Sequence, residues 1–223
     1  MLLYYITDRK GFSGPATQQI DVLLRRIGEA ARAGVDYIQL REKDLPTREL
    51  EALASKALRG VRDNSPTTKL LINSRADIAL ATGADGVHLP AGDLAVPEIR
   101  GWWASCSRRE PLVGVSAHTA ADVRSAQSDG ADLAVLAPIF EKVQTGERGI
   151  GVDPLREACA LVRAQVATES SPQRGFAVLA LGGVTVGNAG ACLEAGAAGV
   201  AGIRLFQQGD VFDTVRRLRE IER

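Results

Sequence analysis

Eight short apolar runs of strand length recur along the chain, each followed by a longer segment of helical period. The runs are LLYYI at 2–6, VDYIQL at 35–40, KLLIN at 69–73, GVHL at 86–89, LVGVS at 112–116, LAVLA at 133–137, AVLAL at 177–181 and GVAGI at 199–203. They are continuously apolar, as parallel strands buried on both faces must be. The first intervening segment, QQIDVLLRRIGEAARAG, places Ile20, Leu23, Leu24, Ile27 and Ala31 on one helical face and ends at Gly34, a helix-stop residue. Further helices are expected near 46–63, 75–82, 96–105, 119–129, 153–167, 186–195 and 211–222.

A weak internal repeat orders these units. The even-numbered runs are entered through AGVDYIQL, TGADGVHL, DGADLAVL and AGAAGVAGI, starting at 33, 82, 129 and 195. Each carries a glycine that can end a helix in a left-handed turn, then a small residue and an aspartate or alanine leading into the strand. Eight β/α units with a two-unit recurrence predict an α/β fold, a single (β/α)8 TIM barrel. The 223 residues fall a little short of the roughly 250 usual for that fold, so one domain spanning 1–223 is expected. The rival, an open doubly wound sheet, would carry G-x-G-x-x-G at its first helix, and this chain does not.

Lysine plus arginine and aspartate plus glutamate are 27 each, which removes bulk attraction to nucleic acid or an anionic membrane. No apolar run reaches the ~18 residues of a membrane helix. The start, MLLYYITDRK, has no basic-then-apolar signal pattern, so a cytoplasmic location is expected. Cys106, Cys159 and Cys192 are odd in number and widely spaced, which suggests neither a disulfide framework nor a zinc knuckle. The sequence leaves a monomer and a homodimer equally open.

Barrel active sites lie where strands end, and the residues that follow these runs are polar. Gln39, Arg41 and Lys43 alternate across the end of the second run, so an extended segment would put them on one face to grip an anion such as a diphosphate; the alternative is a solvated loop with a Glu42 ion pair. Asn73 ends the third. Asp93, after the fourth, has the hard oxygens that Mg2+ prefers, or caps the helix starting near Val96. Ser116 and His118 close the fifth, and the histidine either moves protons or bonds to backbone at a helix start. His88, within an apolar run, reads as core. Gly182 and Gly183 after the seventh run, with Ile203 and Arg204 after the eighth, occupy the two loops where barrels commonly hold phosphate; the glycine pair could equally make only a tight turn. The aperiodic stretch from Glu141 to Gly151 is a candidate lid, with Lys142 and Arg148 within reach of an anion, or a plain connection.

The motifs YITD, IQLREK, LLINSRADIALATGADGVHLP-x-x-D, VGVSAHT, GADLAVLAPIF, ALGGV and GAAGVAGI together resemble the thiamine phosphate synthase family and the related TenI-like thiazole tautomerases, in order and over almost the whole chain. The synthases join an aminopyrimidine methyl diphosphate to a thiazole phosphate with the help of Mg2+. The resemblance implies that Gln39, Arg41, Lys43 and Asn73 hold the diphosphate, that Asp93 is a Mg2+ ligand, and that Ser116 assists the leaving group. It further implies that Gly183, Ile203 and the adjoining turn hold the thiazole phosphate.

Two positions depart from the family pattern. Ser74 stands where synthases usually carry a second metal-binding aspartate, and Glu141-Lys142-Val143-Gln144-Thr145 replaces a Thr-x-Thr-Lys lid, with Lys142 as the replacement lysine. His88-Leu89-Pro90 and His118, the presumed proton shuttle of tautomerases, lean to the tautomerase branch; Lys43 and Asp93 lean to the synthase. The expected function is synthase, with tautomerase or a phosphate-binding paralogue without turnover as alternatives.

Overall fold

The computed structural model describes residues 1–141, 146, 148–168 and 175–221. Eight parallel strands follow one another in chain order around a closed barrel. They are β1 (Leu2–Ile6), β2 (Tyr37–Leu40), β3 (Lys69–Asn73), β4 (Gly86–Leu89), β5 (Leu112–Ala117), β6 (Leu133–Leu136), β7 (Ala177–Ala180) and β8 (Gly199–Gly202). Between and after them run α1 (Ala16–Ala33), α2 (Thr47–Asn64), α3 (Ala76–Thr82), α4 (Val96–Cys106), α5 (Ala120–Ser128), α6 (Val152–Thr168), α7 (Ala189–Glu194), α8 (Arg204–Gln207) and α9 (Val211–Glu220). The expected TIM barrel is the observed fold. Two elements had no periodic signal because they are too short to show one: the 3-10 turn at Arg9–Gly11 and α8.

Contacts divide the chain into two compact units, one of Met1–Leu2 with Leu89–Ala201, the other of Leu3–His88 with Gly202–Arg223. In the second, α1 buries Leu23, Ile27, Ala30 and Ala31 and stops at Gly34, whose φ of 95° lets its N–H bond back to the Ala30 and Ala31 carbonyls.

The repeat has a physical cause. Asp36, Asp85 and Asp132 each make a two-point contact with the start of the preceding strand. The Asp36 N–H donates to Leu3 O while its carboxylate accepts the Leu3 N–H at 2.7 Å. Asp85 does the same with Leu70 and Asp132 with Val113, at 2.9 and 2.7 Å to the carboxylate. A helical arginine then neutralises each aspartate: Arg219 for Asp36, Arg62 for Asp85 and Arg100 for Asp132. Such a charge-assisted bond contributes about 1.5–3 kcal/mol where it is shielded from water. The fourth copy has Ala198, which keeps only the backbone half, donating to Val178 O.

Candidate active site

In the unit containing β1 to β3, the sequence-predicted anion clamp is divided by depth. Gln39 is 1% exposed. Its amide donates to the Tyr4 hydroxyl at 3.1 Å, and that hydroxyl lies 3.1 Å from His88 Nδ1. Since Tyr4 accepts from Gln39, its own proton goes to Nδ1, which leaves the His88 proton on Nε2. Burial, with the nearby Arg41 charge second, pushes the His88 pKa down to about 3. His88 is thus a neutral core residue, and Gln39 belongs to the same interior chain.

The premise that alternation aligns Gln39, Arg41 and Lys43 does not hold to its end. β2 stops at Leu40, and Lys43 sits in a turn closed by the Leu45 N–H on the Glu42 carbonyl. What fixes this turn is Glu42, 4% exposed, together with Thr7 and Arg9, 0% and 6% exposed. Glu42 accepts the Thr7 hydroxyl at 2.7 Å and the Arg9 guanidinium at 3.0 Å, while Thr7 Oγ1 accepts the Arg41 N–H at 2.9 Å. Burial raises the Glu42 carboxyl pKa, against the opposing pull of these bonds. The expected Glu42 ion pair therefore exists, but with Arg9. Among the described residues neither Arg41 nor Lys43 makes an ion pair, and Lys43 is exposed.

Asn73 ends β3 opposite His88 in register. Ser74 after it is the one non-glycine with positive φ among the described residues, at 61°. Its N–H donates to His88 O and the Arg75 N–H to Asn73 O, a tight reversal that costs a serine about 1–3 kcal/mol. Ile203 is half-buried, and Arg204 is exposed at the first position of α8.

In the other unit, Asp93 is half-buried in the turn after β4, where its N–H donates to Pro90 O and its carboxylate accepts the Leu94 N–H at 2.8 Å. It does not cap α4: the Glu98 carboxylate does so, accepting the Ala95 N–H at 3.0 Å. No three His, Cys, Asp or Glu side chains cluster as a metal-holding group among the described residues. A single aspartate still suits Mg2+, which keeps several waters and takes phosphate oxygens beside one or two carboxylates.

Ser116 lies in β5 opposite Val135 of β6 and is half-buried. His118 begins the next turn, where its N–H donates to the Asp122 carboxylate at 2.9 Å and its Nδ1 lies 3.0 Å from Ala137 O. A carbonyl only accepts, so Nδ1 carries a proton, and in the neutral imidazole the lone pair is then on Nε2. The His118 N–H is the largest influence holding the Asp122 pKa down.

Gly182 and Gly183 have φ of 95° and 63°. A Cβ on Gly182 would lie 2.7 Å from Pro138 Cα, and one on Gly183 would lie 2.6 Å from Glu141 O. The pair is glycine because the segment after β6 packs directly on it, with Ile139 N–H donating to Leu181 O and Phe140 N–H to Gly182 O. No hydrogen bond from either glycine N–H occurs among the described residues. Asn188 braces this turn, accepting the Thr185 N–H at 2.7 Å and donating to Gly183 O at 3.0 Å. The candidate lid returns at Ile150 and Gly151, whose N–H groups donate to Pro138 O and Ile139 O. Arg148 is exposed; Lys142 lies outside the described residues.

Sequence reading placed Thr7 after the first strand without a role and missed Arg9 and Asn188. The signal for Arg9 was present in Glu42 and Asp44, two acids flanking Lys43 and requiring a partner; for Asn188 it was an Asx residue just before a helix. A cavity of about 700 Å3 bounded by Arg100, Trp103, Arg109, Gln127 and Phe176 borders the segments that precede β5 and β7, at the strand ends opposite those where barrel chemistry is placed.

A family model described as thiamine monophosphate synthase matches residues 3–206. A putative thiamine-phosphate synthase 2 of Aquifex aeolicus is 37% identical over 92% of this chain and 96% of its own length. A thiamine-phosphate synthase of Moorella thermoacetica is 36% identical over 98% and 94%. Among solved structures, a thiamine phosphate pyrophosphorylase from Pyrococcus furiosus superposes with a TM-score of 0.76 at 27% identity, covering 99% of this chain and 94% of that one.

Proposed function

This chain belongs to the thiamine monophosphate synthase family, and from that membership we propose that it is a transferase joining an aminopyrimidine methyl diphosphate to a thiazole phosphate, with release of diphosphate. The observation that carries the reading is the pair Arg41 and Lys43, two cations after β2 without an acidic partner among the described residues. Unpaired cations at a strand end are suited to a phosphorylated ligand.

Arg41 and Lys43, with Asn73 and the deeper Gln39, hold the diphosphate. As its bond to the pyrimidinyl methylene carbon breaks, both electrons leave on the diphosphate oxygen, and the cation left behind is delocalised into the ring and its amino group. The thiazole nitrogen lone pair then forms the new C–N bond. Ser116 donates a hydrogen bond to the leaving oxygen. Gly182 and Gly183 offer N–H groups to the thiazole phosphate, beside Ile203 and Arg204. Asp93 holds Mg2+, which when bound offsets the negative charge of the diphosphate. Lys142 and Arg148, on the candidate lid, reach the leaving diphosphate, and the lid keeps water from the cation. We also take residues 1–223 as one domain acting in the cytoplasm on small phosphorylated substrates; the free cysteines Cys106, Cys159 and Cys192 suit a reducing compartment. No helix among the described residues is long and apolar enough to cross a membrane.

One observation favours a second reading. With His118 Nδ1 tied to Ala137 O, its Nε2 is set to take a proton, as a thiazole tautomerase requires. A paired assay separates the two. The synthase reading expects Mg2+-dependent thiamine phosphate from the two substrates; product at the no-enzyme rate, with metal-independent isomerisation of thiazole carboxylate phosphate lost in His118→Ala, would replace it with the tautomerase.

A further inference from the structure

Arg41 and Lys43 alternate in sequence with Glu42 and Asp44, the nearest acids and the natural partners of both cations. Neither acid is available to them. Arg9 Nη1 lies 3.0 Å from Glu42 Oε2 and 2.6 Å from Asp44 Oδ1, and Arg9 Nη2 lies 2.8 Å from Asp44 Oδ2. Lys10 Nζ adds a contact with Asp44 at 3.0 Å. Arg9 and Lys10, after β1, thus supply two positive charges to the two acids Glu42 and Asp44. The match is held in place rather than diffuse, because Glu42 and Arg9 are buried and Glu42 also accepts the Arg9 N–H and the Thr7 hydroxyl.

We propose that Arg9 is a positioning residue for anion binding: by engaging Glu42 and Asp44 it leaves the Arg41 and Lys43 side chains for the substrate diphosphate. A carboxylate released beside them would compete for the same donors as a phosphate oxygen, as both bind guanidinium and ammonium groups through charge-assisted bonds. The proposal rests on the reading that Arg41 and Lys43 hold the diphosphate.

The test is a steady-state comparison of Arg9→Met with the triple variant Arg9→Met/Glu42→Gln/Asp44→Asn, varying each substrate in turn. Arg9→Met should raise KM for the diphosphate substrate about tenfold, the worth of one charge-assisted contact, with kcat and the KM for thiazole phosphate nearly unchanged. The triple variant, lacking the base and both acids, should regain a KM near wild type. A role in merely bracing the loop gives no such recovery, because the triple variant has lost every ion pair. A normal KM in Arg9→Met, or a triple variant as impaired as the single, overturns the proposal. Should the uncompensated Glu42 prevent Arg9→Met from folding, Arg9→Met/Glu42→Gln takes its place. It retains Asp44, so its KM must exceed that of the triple variant, and equality overturns the proposal. Lys43→Ala separates the two levels: a normal KM there removes the clamp itself, whereas a raised KM there beside unaffected Arg9 variants removes only the part assigned to Arg9.

Discussion

Replacing Gly182 with alanine probes the close approach behind the turn after β7, and Gly34 provides its control, since both glycines sit at φ of +95°. A Cβ on Gly34 meets nothing within 4 Å, whereas one on Gly182 lies 2.7 Å from Pro138 Cα and 2.8 Å from Pro138 Cβ. The left-handed backbone costs any alanine about 1–2 kcal/mol, and both variants bear that cost. Only Gly182→Ala adds an overlap, and relieving it moves Pro138 or the turn by about 0.7 Å, an overpacking cost of about 1–3 kcal/mol. The bonds from Ile139 N–H to Leu181 O and from Phe140 N–H to Gly182 O, at 2.8 and 2.9 Å, lengthen with that movement. For a chain of this length each kcal/mol lowers Tm by about 2–4 °C. Gly182→Ala should therefore melt roughly 2–12 °C below Gly34→Ala in scanning calorimetry, in one transition if residues 1–223 are one domain. Its KM for thiazole phosphate should rise while that of Gly34→Ala stays at wild type. Equal melting temperatures would refute the argument that the Pro138 approach requires glycine.

Lys43→Ala should raise KM for the diphosphate substrate or lower turnover about tenfold or more, for the loss of one charge-assisted contact of about 1.5–3 kcal/mol; unchanged kinetics return Lys43 to a solvated loop. Asp93→Asn should weaken the dependence of rate on Mg2+ in a metal titration, and an unaltered titration would leave Asp93 as a turn residue only. His88 predicts an acid-side loss of stability. Its folded pKa of about 3 lies below the unfolded 6.5, so the unfolded chain takes up the proton first. The stability is complete above pH 6.5 and is lost as the pH falls towards 3, at up to about 1.4 kcal/mol per pH unit. In His88→Gln, urea melts between those limits should show a shallower pH dependence, and identical slopes would contradict the buried neutral assignment.

The barrel was legible because burying strands on both faces demands predominantly apolar rather than alternating runs, and all eight were readable as such. The repeat was visible too, but its cause was not: that Asp36, Asp85 and Asp132 each bond twice to the preceding strand is a long-range contact that no local pattern encodes. The site divided along the same line. Arg41 and Lys43 stood out as charges after an apolar run, while the alternation argument failed beyond Leu40 because Glu42 is drawn inward by Arg9, 33 residues earlier. That Gln39 lies deeper than Arg41 and Lys43 was not legible, because its hydrogen-bonded chain with Tyr4 and His88 joins residues from other strands. The glycine pair was read from position alone. The steric need for it became visible only when residues 138–141 were found packed against the turn.

Transfer of a pyrimidinyl methyl group from diphosphate to a thiazole nitrogen by this barrel has a fixed stoichiometry. Diphosphate release and thiamine phosphate formation should be measured in the same reaction, with Mg2+ and both substrates present and with each substrate omitted in turn. One diphosphate should be released for each thiamine phosphate formed, and thiamine phosphate should appear only when both substrates are supplied. Diphosphate released without thiamine phosphate, or neither product above the no-enzyme background, would contradict that transfer.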